Sequence, residues 1–452
     1  MSNSKTDVAI IGAGIVGISV ASYLKRAAPE LGVALIDRAA PMALTSAQSG
    51  ENYRNWWPHP VMKQFTDHSI DLMEDWARET DNAIQMTRRG YLLATRTADA
   101  DALKSELLAG YQADGEEEIR LHETPSTYEP PISADWRQAP DGVDMLCGSS
   151  FIASQFPWID PEVQSLVHIR RAGAISSQQM GQAMLDEFRA AGGNRIMAEV
   201  TGIERSADFL LSLSSDRSPL RAGKIVNAAG PFINEIAAML DITLPVTNVL
   251  QQKIAFEDVS GAIPRDMPFG IDLDPQVIDW SDEEKNLLGG DEGLAWLAAE
   301  MPGAIHCRPD GGEGGKWVKL GWAFNEAEEA PTNEPRLFDH FPEIVLRGAA
   351  RLSPALKRYY GRLPKNRIHY GGYYTQTAEN WPLIGPMGVD GAFVAGALSG
   401  FGTMAACAAG ELTAAWILEN KMPDYASALS MARYEDAELM AALHAQNSRG
   451  ML

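Results

Sequence analysis

The spacing of apolar and polar residues divides the chain into alternating strands and helices. Apolar runs at residues 8–11 and 33–36 are typical of buried strands. Apolar positions at helical spacing over residues 61–80 predict an amphipathic helix, and another helix is predicted over residues 180–191, before a Gly-Gly pair. Residues 403–418 form a strongly helical run after a glycine-rich turn. This alternation predicts an α/β fold.

The middle of the chain has a different pattern. Four short apolar strands are predicted there, at residues 250–256, 267–273, 304–307 and 316–322. The strongest helical signal between them is an acidic segment over residues 281–301. Strands with so little helix between them predict a mostly antiparallel sheet. The acidic, Pro-containing stretch 99–144 is predicted to form surface helices and loops.

A glycine-rich turn after the first strand indicates nucleotide binding. Gly12, Gly14 and Gly17 form a GxGxxG pattern between a strand and a helix. Gly12 permits the tight turn, Gly14 lets the backbone approach a pyrophosphate, and Gly17 lets the helix lie against its strand. Asp37 ends the second strand about 20 residues after the glycines, where a carboxylate accepts ribose hydroxyls. Strand, turn, helix and acid together predict a dinucleotide site.

Composition narrows the possible functions. The chain has 452 residues, enough for two or three domains, and its formal net charge is -22 at pH 7. This excess of acid argues against a nucleic-acid partner, which requires clustered lysines and arginines. Cys147, Cys307 and Cys407 have neither disulfide-framework nor zinc-site spacing, and no metal site is predicted. The N-terminus runs straight into the first strand, and no apolar run approaches the ~18 residues of a membrane span. We therefore expect a cytoplasmic protein that has no membrane span.

Several motifs in colinear order resemble those of one enzyme superfamily. They are the GAGIVG turn with Asp37, TSAQSG at residues 45–50, NAAGP at 227–231, GGYYTQTAENWPLIGP at 371–386 and GALSGFGTMAACAAGEL at 396–412. Over nearly its whole length the chain resembles the D-amino acid oxidase superfamily of FAD-dependent oxidoreductases. Within that superfamily it is most similar to the glycine and sarcosine oxidase branch and to the dimethylglycine or sarcosine dehydrogenase branch.

The resemblance implies an architecture of two domains. An α/β, Rossmann-like FAD-binding domain is expected beside a second domain, the substrate domain, whose mostly antiparallel sheet covers the flavin ring. The FAD-binding domain is expected to be discontinuous, over residues 1–90, 150–245 and 345–452. The substrate domain is expected over residues 91–149 and 246–344.

The resemblance also implies which residues hold the cofactor. The ADP half is assigned to Gly12, Gly14, Gly17, Asp37 and Arg38. The pyrophosphate is expected near Thr45 and Ser46, and the adenine region near Val200, Ala228 and Gly230. The residues expected to face the flavin are Gly400, Gly402, Thr403 and Met404, where a helix N-terminus stabilises negative charge.

Departures from the family pattern imply that FAD is bound non-covalently. In monomeric sarcosine oxidase a cysteine carries the flavin, and that place is Gly372 here. The related dehydrogenases attach the flavin through a histidine near the first loop. The corresponding position in this chain lies around Glu51. The family's two usual carboxylate anchors, a lysine and an arginine, are replaced by Met404 and Trp57, and a histidine of the substrate domain by Ala323. Simple sarcosine or glycine oxidation is therefore not favoured.

Three residues are expected to be catalytic. Lys319 matches the lysine that activates oxygen over the flavin in sarcosine oxidase, Tyr374 matches a substrate-facing tyrosine, and Arg54 matches a flavin-proximal arginine. A cation beside the flavin stabilises the charge that develops as oxygen accepts an electron. Without a catalytic role, these three residues would be an exposed strand lysine, a core tyrosine and one side of a surface salt bridge.

Substrate contacts are expected from Trp57, His59, Arg308 and Tyr374. Tryptophan suits an amine because its ring attracts a cation, and arginine binds a carboxylate through two hydrogen bonds. Without such contacts, Trp57 would be buried in the core and Arg308 would form an ordinary salt bridge. His59 and His306 are candidates for the missing proton acceptor, and each would otherwise be a structural histidine.

These residues lead to an expectation about function. We expect FAD-dependent oxidation of a C–N bond in a small amine or amino acid, with a secondary or N-substituted amine favoured, to give an imine. Lys319 favours oxygen as the electron acceptor. The competing hypotheses are a dehydrogenase that passes electrons to a protein or quinone, and a flavin-bearing assembly protein without turnover. The oligomeric state is left open.

Overall fold

The computed structural model describes residues 4–99, 101–110, 115–131, 135–214, 217–312 and 314–445. The helices in these ranges are α1 (Ile15–Ala27), α2 (Pro60–Glu79), α3 (Asp101–Ala109), α4 (Ser149–Gln155), α5 (Ser177–Ala190), α6 (Ile233–Ala238), α7 (Asp282–Gly289), α8 (Phe341–Leu352), α9 (Gly402–Leu418) and α10 (Ala437–Ala445). None of the helices in the described ranges is long and apolar enough to cross a membrane.

The strands are named in chain order. They are β1 (Ser4–Ile11), β2 (Val33–Asp37), β3 (Asn52–Arg54), β4 (Tyr91–Thr95), β5 (Ile119–His122), β6 (Val143–Cys147), β7 (Ser165–Ile169), β8 (Ala172–Ala174), β9 (Asn194–Met197), β10 (Val200–Arg205), β11 (Phe209–Leu213), β12 (Leu220–Asn227), β13 (Thr247–Glu257), β14 (Phe269–Asp272), β15 (Gln276–Val277), β16 (Glu300–Met301), β17 (Ile305–Asp310), β18 (Trp317–Trp322), β19 (Arg367–Gln376), β20 (Leu383–Pro386) and β21 (Ala392–Gly396).

The first sheet has a parallel core in the order β9-β2-β1-β12-β21. β1 is buried on both faces: Val8 and Ile10 pack under the helices, while Ala9 and Ile11 pack on the opposite side. A strand covered on both faces is apolar at every position, which explains the unbroken run in the sequence. β20 pairs antiparallel with β21 at one edge, and β10 and β11 form an antiparallel pair beside the start of β12.

Helices α1 and α9 pack together on one face of the first sheet. Their close approach depends on small residues, because a methyl group at Gly410 of α9 would lie 2.2 Å from the Ser19 hydroxyl of α1. Each helix follows a parallel strand of this sheet, β1 or β21. The carboxyl ends of parallel strands meet at one edge, so the two helix N-termini lie at the same edge of the sheet.

The second sheet has the order β19-β13-β18-β17-β14-β4-β7-β6-β5, and all its pairings are antiparallel except β14 with β4 and β5 with β6. One face of its β13–β18 half packs on α8 through a cluster that includes Ile254, Leu320 and Ile344. At β19, Gly372 lies against Thr45 and Gln48, which belong to a short 3-10 helix at residues 45–48. The second sheet therefore covers the edge of the first.

The predicted fold class is confirmed, and most predicted elements are present. The helices predicted over residues 61–80, 180–191 and 403–418 are α2, α5 and α9. The prediction for residues 99–144 was wrong in one respect, because β5 and the start of β6 lie there and complete the far edge of the second sheet. The strands β7 and β19 also pair in the second sheet, although their residues fall in ranges expected for the FAD-binding domain. The domain boundaries themselves stay a prediction.

Candidate functional site

The glycine turn after β1 is packed too tightly for side chains. Gly12 has φ +109°, and a methyl group there would lie 2.2 Å from the Ala228 carbonyl oxygen at the end of β12. A methyl group at Gly17 would lie 1.9 Å from the Gly12 carbonyl oxygen. The two glycines thus bring α1 against the ends of β1 and β12, as the sequence pattern predicts.

The N-termini of α1 and α9 both point positive charge at the space beyond this turn. Neither helix has a side-chain N-cap or an acidic residue in its first turn. At α1 the Ile15 amide donates to the Ser46 hydroxyl over 3.0 Å, and at α9 the Thr403 hydroxyl lies 2.7 Å from that of Ser49. Two helix N-termini aimed at one space favour an anionic ligand there.

A cleft between the two sheets joins these helix ends. It encloses about 790 Å³ of space, part of it open to solvent. The predicted residues that line it are Gly14, Thr45, Ser46, Ala228, Gly230, Tyr374, Gly400, Gly402 and Thr403. The Thr45 hydroxyl is buried without a hydrogen-bond partner. Helix N-termini, close-packed glycines and an unsatisfied hydroxyl are the features that the phosphates and ring of FAD require.

Asp37 lies beside the glycine turn, at the end of β2. One of its carboxylate oxygens accepts from the Ala13 amide over 2.7 Å and the other from the Ala39 amide over 2.8 Å. Each oxygen keeps a lone pair for a further donor, so a ribose hydroxyl is compatible with this arrangement. The position therefore fits the ribose contact that the sequence predicts.

Six residues predicted to bind the cofactor are not among those that line the cleft: Gly12, Gly17 and Asp37, which shape or adjoin the glycine turn, and the three residues Arg38, Val200 and Met404. Arg38 pairs with Glu199 over 2.9 Å and lies over the Phe232 ring. Val200 is buried at the start of β10. Met404 is buried inside α9, where its carbonyl accepts from the Ser69 hydroxyl. For these three residues the structure offers packing roles, and a part in holding the cofactor stays untested.

The strand register gathers polar side chains on one face of the second sheet. Lys253 of β13 lies opposite Gly321 of β18, and Lys319 lies opposite Arg308 of β17. His306 is the other partner of Gly321. Directly opposed residues share a face of a sheet, and so do residues two apart on one strand. Lys253, His306, Arg308 and Lys319 therefore project to the same side, opposite to α8.

Four charged side chains on this face form a compact cluster. Lys319 Nζ lies 2.7 Å from Glu51 and 3.4 Å from Asp310, while Arg308 lies 2.9 Å from Asp310 and 3.7 Å from Glu51. The other Glu51 oxygen accepts from the Ser177 amide and hydroxyl. Burial acts to raise the pKa of Asp310, but the charges of Arg308 and Lys319 outweigh it and hold that pKa below its ordinary value. Lys319 is therefore a paired cation, not an exposed strand lysine.

Lys253 is a lysine that the motif analysis did not single out. Its side chain is only 7 % exposed and lines the cleft, with Nζ 5.5 Å from the centre of the Tyr374 ring. Among the described residues its ammonium makes no ion pair. The sequence feature that could have identified Lys253 is its place inside the apolar strand β13, at a position whose side chain points toward the cleft because side chains alternate along a strand.

His306 occupies the space that glycine leaves at position 321. A methyl group at Gly321 would lie 2.2 Å from His306 Nε2. Burial, followed by the charge of Lys253, lowers the pKa of His306 to about 4. Nδ1 lies 3.2 Å from the Ala304 carbonyl oxygen. The imidazole is therefore neutral at physiological pH and adds no charge to the cluster.

The first-loop residues Arg54, Trp57 and His59 take structural positions. Arg54 is buried, with its guanidinium 5.4 Å from the Trp57 ring centre, and burial lowers its pKa to about 10. Trp57 packs edge-on against Phe401, inside the turn before α9. His59 caps α2 by accepting from the Val61 amide. None of the three is among the residues that line the cleft, so Trp57 supports the turn and His59 holds a helix end.

Comparisons with known proteins agree with this geometry. The family model described as DAO, FAD dependent oxidoreductase, matches residues 7–416. Human mitochondrial dimethylglycine dehydrogenase is 22% identical over 433 residues, which are 93% of this chain and 43% of that protein. The chain thus spans less than half the length of this curated relative.

Solved structures show the same fold. L-proline dehydrogenase from P. horikoshii has a TM-score of 0.72 at 18% identity, with 96% of this chain and 99% of that chain covered. Glycine oxidase from Geobacillus kaustophilus has a TM-score of 0.70 at 16% identity, with 95% and 99% covered. The match of the family model over most of the chain settles the family. The chain belongs to the DAO family of FAD-dependent oxidoreductases.

Proposed function

We propose that this protein binds FAD non-covalently and oxidises a C–N bond of a small amine or amino acid, a secondary or N-substituted amine being favoured, to an imine. The observation that carries the proposal is the cleft, where two helix N-termini face the polar side of the second sheet. The relatives named for L-proline dehydrogenase, glycine oxidase and dimethylglycine dehydrogenase support the substrate class.

The chain's own residues would position the cofactor. Gly12 and Gly17 shape the turn, Gly14 opens the helix end to the pyrophosphate, and Asp37 receives the ribose. Bound FAD would supply the hydride acceptor, chemistry that no amino-acid side chain provides. The N-terminus of α9, through Gly402 and Thr403, would stabilise negative charge on the ring.

Two observations support non-covalent binding. Gly372 lines the cleft and lies against Gln48 and Thr45. Because this residue is a glycine, it offers no thiol at the place where a cysteine carries the flavin in sarcosine oxidase. Glu51 is engaged by Lys319 and Ser177, and a carboxylate is not the imidazole that attaches flavin in the related dehydrogenases.

The polar face of the second sheet would hold and orient the substrate. Tyr374 lines the cleft, and Arg308 lies in the charged cluster beside it. Lys253 would keep a nearby amine in its neutral form, because a like charge lowers the pKa of the amine. A neutral amine has the lone pair that must assist loss of hydride, so this cation favours the reactive state of the substrate.

Oxygen is the proposed electron acceptor, which makes the protein an oxidase. The second candidate is a dehydrogenase that passes electrons to a protein or quinone. A cation at Lys319 favours oxygen because negative charge develops on oxygen as it accepts an electron. The Glu51 carboxylate 2.7 Å from Lys319 Nζ favours the dehydrogenase, because it offsets that cation.

The test of the proposal is anaerobic reduction of the FAD-loaded protein by a panel of amines. Bleaching of the flavin absorbance by secondary or N-methyl amino acids supports it, and peroxide formed on admission of oxygen assigns the acceptor. Failure of every amine to reduce the flavin would overturn the proposal and favour an assembly protein. Peroxide-free turnover with an artificial acceptor would favour the dehydrogenase.

A further inference from the structure

A second cavity adjoins the cleft on the side of the charged cluster. It encloses about 1290 Å³, part of it open to solvent. Glu51 and Arg308 form part of its wall, and Gly50, the residue before Glu51, lines the cleft. The two spaces therefore lie next to each other across residues 50–51, where Arg308 donates a hydrogen bond to the Gly50 carbonyl oxygen.

Three arginines line this cavity: Arg89, Arg265 and Arg308. They lie close enough for the charges of Arg89 and Arg308 to act on Arg265. Burial first, and these two charges further, lower the pKa of Arg265 despite the opposing charges of Asp310 and Asp258. A guanidinium whose charged form is disfavoured by its neighbours is stabilised by an added anion.

The direct hydrogen-bond partners of Arg265 are neutral groups. Its two terminal nitrogens donate to the backbone carbonyls of Trp317, Asp310 and Gly312, which are neutral acceptors. Its Nε is buried without a partner. Among the described residues Arg265 forms no ion pair.

The acidic residues of the cavity do not supply that anion. Glu51 is held by Lys319, and Asp310 is shared by Arg308 and Lys319. Each therefore already faces a cation at close range. The cavity wall consequently presents more positive than negative charge on the side of Arg265.

We propose that the arginine cavity binds a second carboxylate of the substrate, so that the preferred substrate is an amino acid or N-substituted amine with a carboxylate remote from the reacting nitrogen. The inference rests on the proposed function, because it assigns the cavity to the same molecule that reacts in the cleft. A carboxylate matches the planar fork of a guanidinium through two parallel hydrogen bonds. A neutral or cationic side chain of a substrate would not be stabilised by the arginines of this cavity.

A binding experiment tests the cavity without turnover. Calorimetric titration of the FAD-loaded protein with glutarate, a diacid that cannot be oxidised at a C–N bond, is compared with glutaramide, its diamide, which has the same carbon count and no carboxylate. We expect glutarate to bind at least tenfold more tightly. Arg265→Gln should abolish this preference. Arg265→Lys also loses the contacts of the guanidinium with backbone carbonyls but keeps the positive charge, so it should retain part of the preference. Arg205→Gln, an exposed substitution on β10, is the matched control.

A substrate experiment then compares N-methylglutamate with N-methylnorvaline in anaerobic flavin reduction. An apparent Kd at least tenfold lower for N-methylglutamate, lost in Arg265→Gln with little change in the limiting rate of flavin reduction, supports the inference. Equal binding of glutarate and glutaramide, or equal loss in the Lys and Gln variants, would overturn it. If glutarate binds through Arg265 but no amine reduces the flavin, the cavity assignment stands and the proposed function fails. If only monocarboxylate amines react, the function stands and the inference fails.

Discussion

Lys319 Nζ lies 2.7 Å from a carboxylate oxygen of Glu51, and the two residues come from different parts of the fold. Lys319 belongs to β18 of the second sheet, and Glu51 to the loop after the 3-10 helix of residues 45–48. This ion pair connects the lysine expected to act on oxygen with the residue near which related dehydrogenases attach their flavin. If oxygen is the electron acceptor, as proposed, we expect its rate of reaction to depend on how far Glu51 offsets the charge of Lys319.

Lys319→Met should slow reoxidation of the reduced, FAD-loaded protein by oxygen by about 10²-fold or more, the effect of losing one preorganised charged group. Anaerobic reduction by an amine should change much less, because hydride removal needs no cation at this point. Stopped-flow measurement of the two half-reactions checks this. Equal slowing of both would make Lys319 a substrate-site residue and favour the dehydrogenase.

Glu51→Gln should have the opposite effect on reoxidation. The substitution removes a negative charge from Lys319 but keeps the size of the side chain, so the cation is less offset and reoxidation should be faster than in the wild type. The double variant Lys319→Met/Glu51→Gln is the control, since it removes both charges and leaves no unpaired carboxylate. A double variant that reoxidises as fast as the wild type would contradict a role for the charge.

Acid precipitation should release intact FAD into the supernatant. Gly372 offers no thiol at the cleft, and Glu51 is not a histidine. The measurement is the absorbance of supernatant and pellet after trichloroacetic acid treatment. A yellow pellet that survives washing with denaturant would show a covalent link through some other residue.

Asp37→Ala should weaken FAD binding by about 1.5–3 kcal/mol, the range for a hydrogen bond to a charged group. The carboxylate also holds the Ala13 amide of the glycine turn, so the variant should lose some stability without FAD as well. Fluorescence titration of the apoprotein gives the Kd. Asp390→Ala, at a fully exposed aspartate, is the control. A Kd equal to that of the wild type would move the ribose contact to another residue.

Gly17→Ala should prevent stable FAD binding. The added methyl group would lie 1.9 Å from the Gly12 carbonyl oxygen, a contact with backbone that no rotamer relieves. We expect a cost of about 1–3 kcal/mol in stability from overpacking, together with displacement of α1. Gly289→Ala is the matched control, because a methyl group there meets nothing within 4 Å. Thermal unfolding with and without FAD compares the two variants, and equal behaviour would contradict the prediction.

Local sequence patterns predicted the part of the site that is local in the chain. The positions of Gly12, Gly14 and Gly17 depend on one strand, one turn and one helix, so the motif contains the necessary information. Asp37 follows in the next strand of the same βαβ unit. The carboxyl-end rule for parallel strands then places the turn before α9 at the same edge.

The substrate side is harder to predict from the sequence because it depends on strand register. Lys253 and Arg265 carry no motif, and their importance comes from which strands and loops pack beside them. Trp57 and His59 lie next to Arg54 in sequence, yet Trp57 points into the core and His59 caps a helix. Periodicity does not distinguish a side chain that faces a cavity from one that faces a neighbouring helix.

Asp310→Asn should destabilise the protein near neutral pH, and the difference should become smaller in acid. Burial raises the pKa of Asp310, but Arg308 and Lys319 outweigh it and hold the pKa below its ordinary value of about 4. The folded state then binds fewer protons than the unfolded state in this range, so the free energy of unfolding rises with pH. The contribution of the carboxylate, about 1.5–3 kcal/mol for charged hydrogen bonds, is complete above the unfolded pKa and lost as pH falls through the folded pKa. Urea denaturation of both proteins at about pH 7 and about pH 3 checks this. A difference that stays constant across that interval would show that Asp310 contributes through packing, not through its charge.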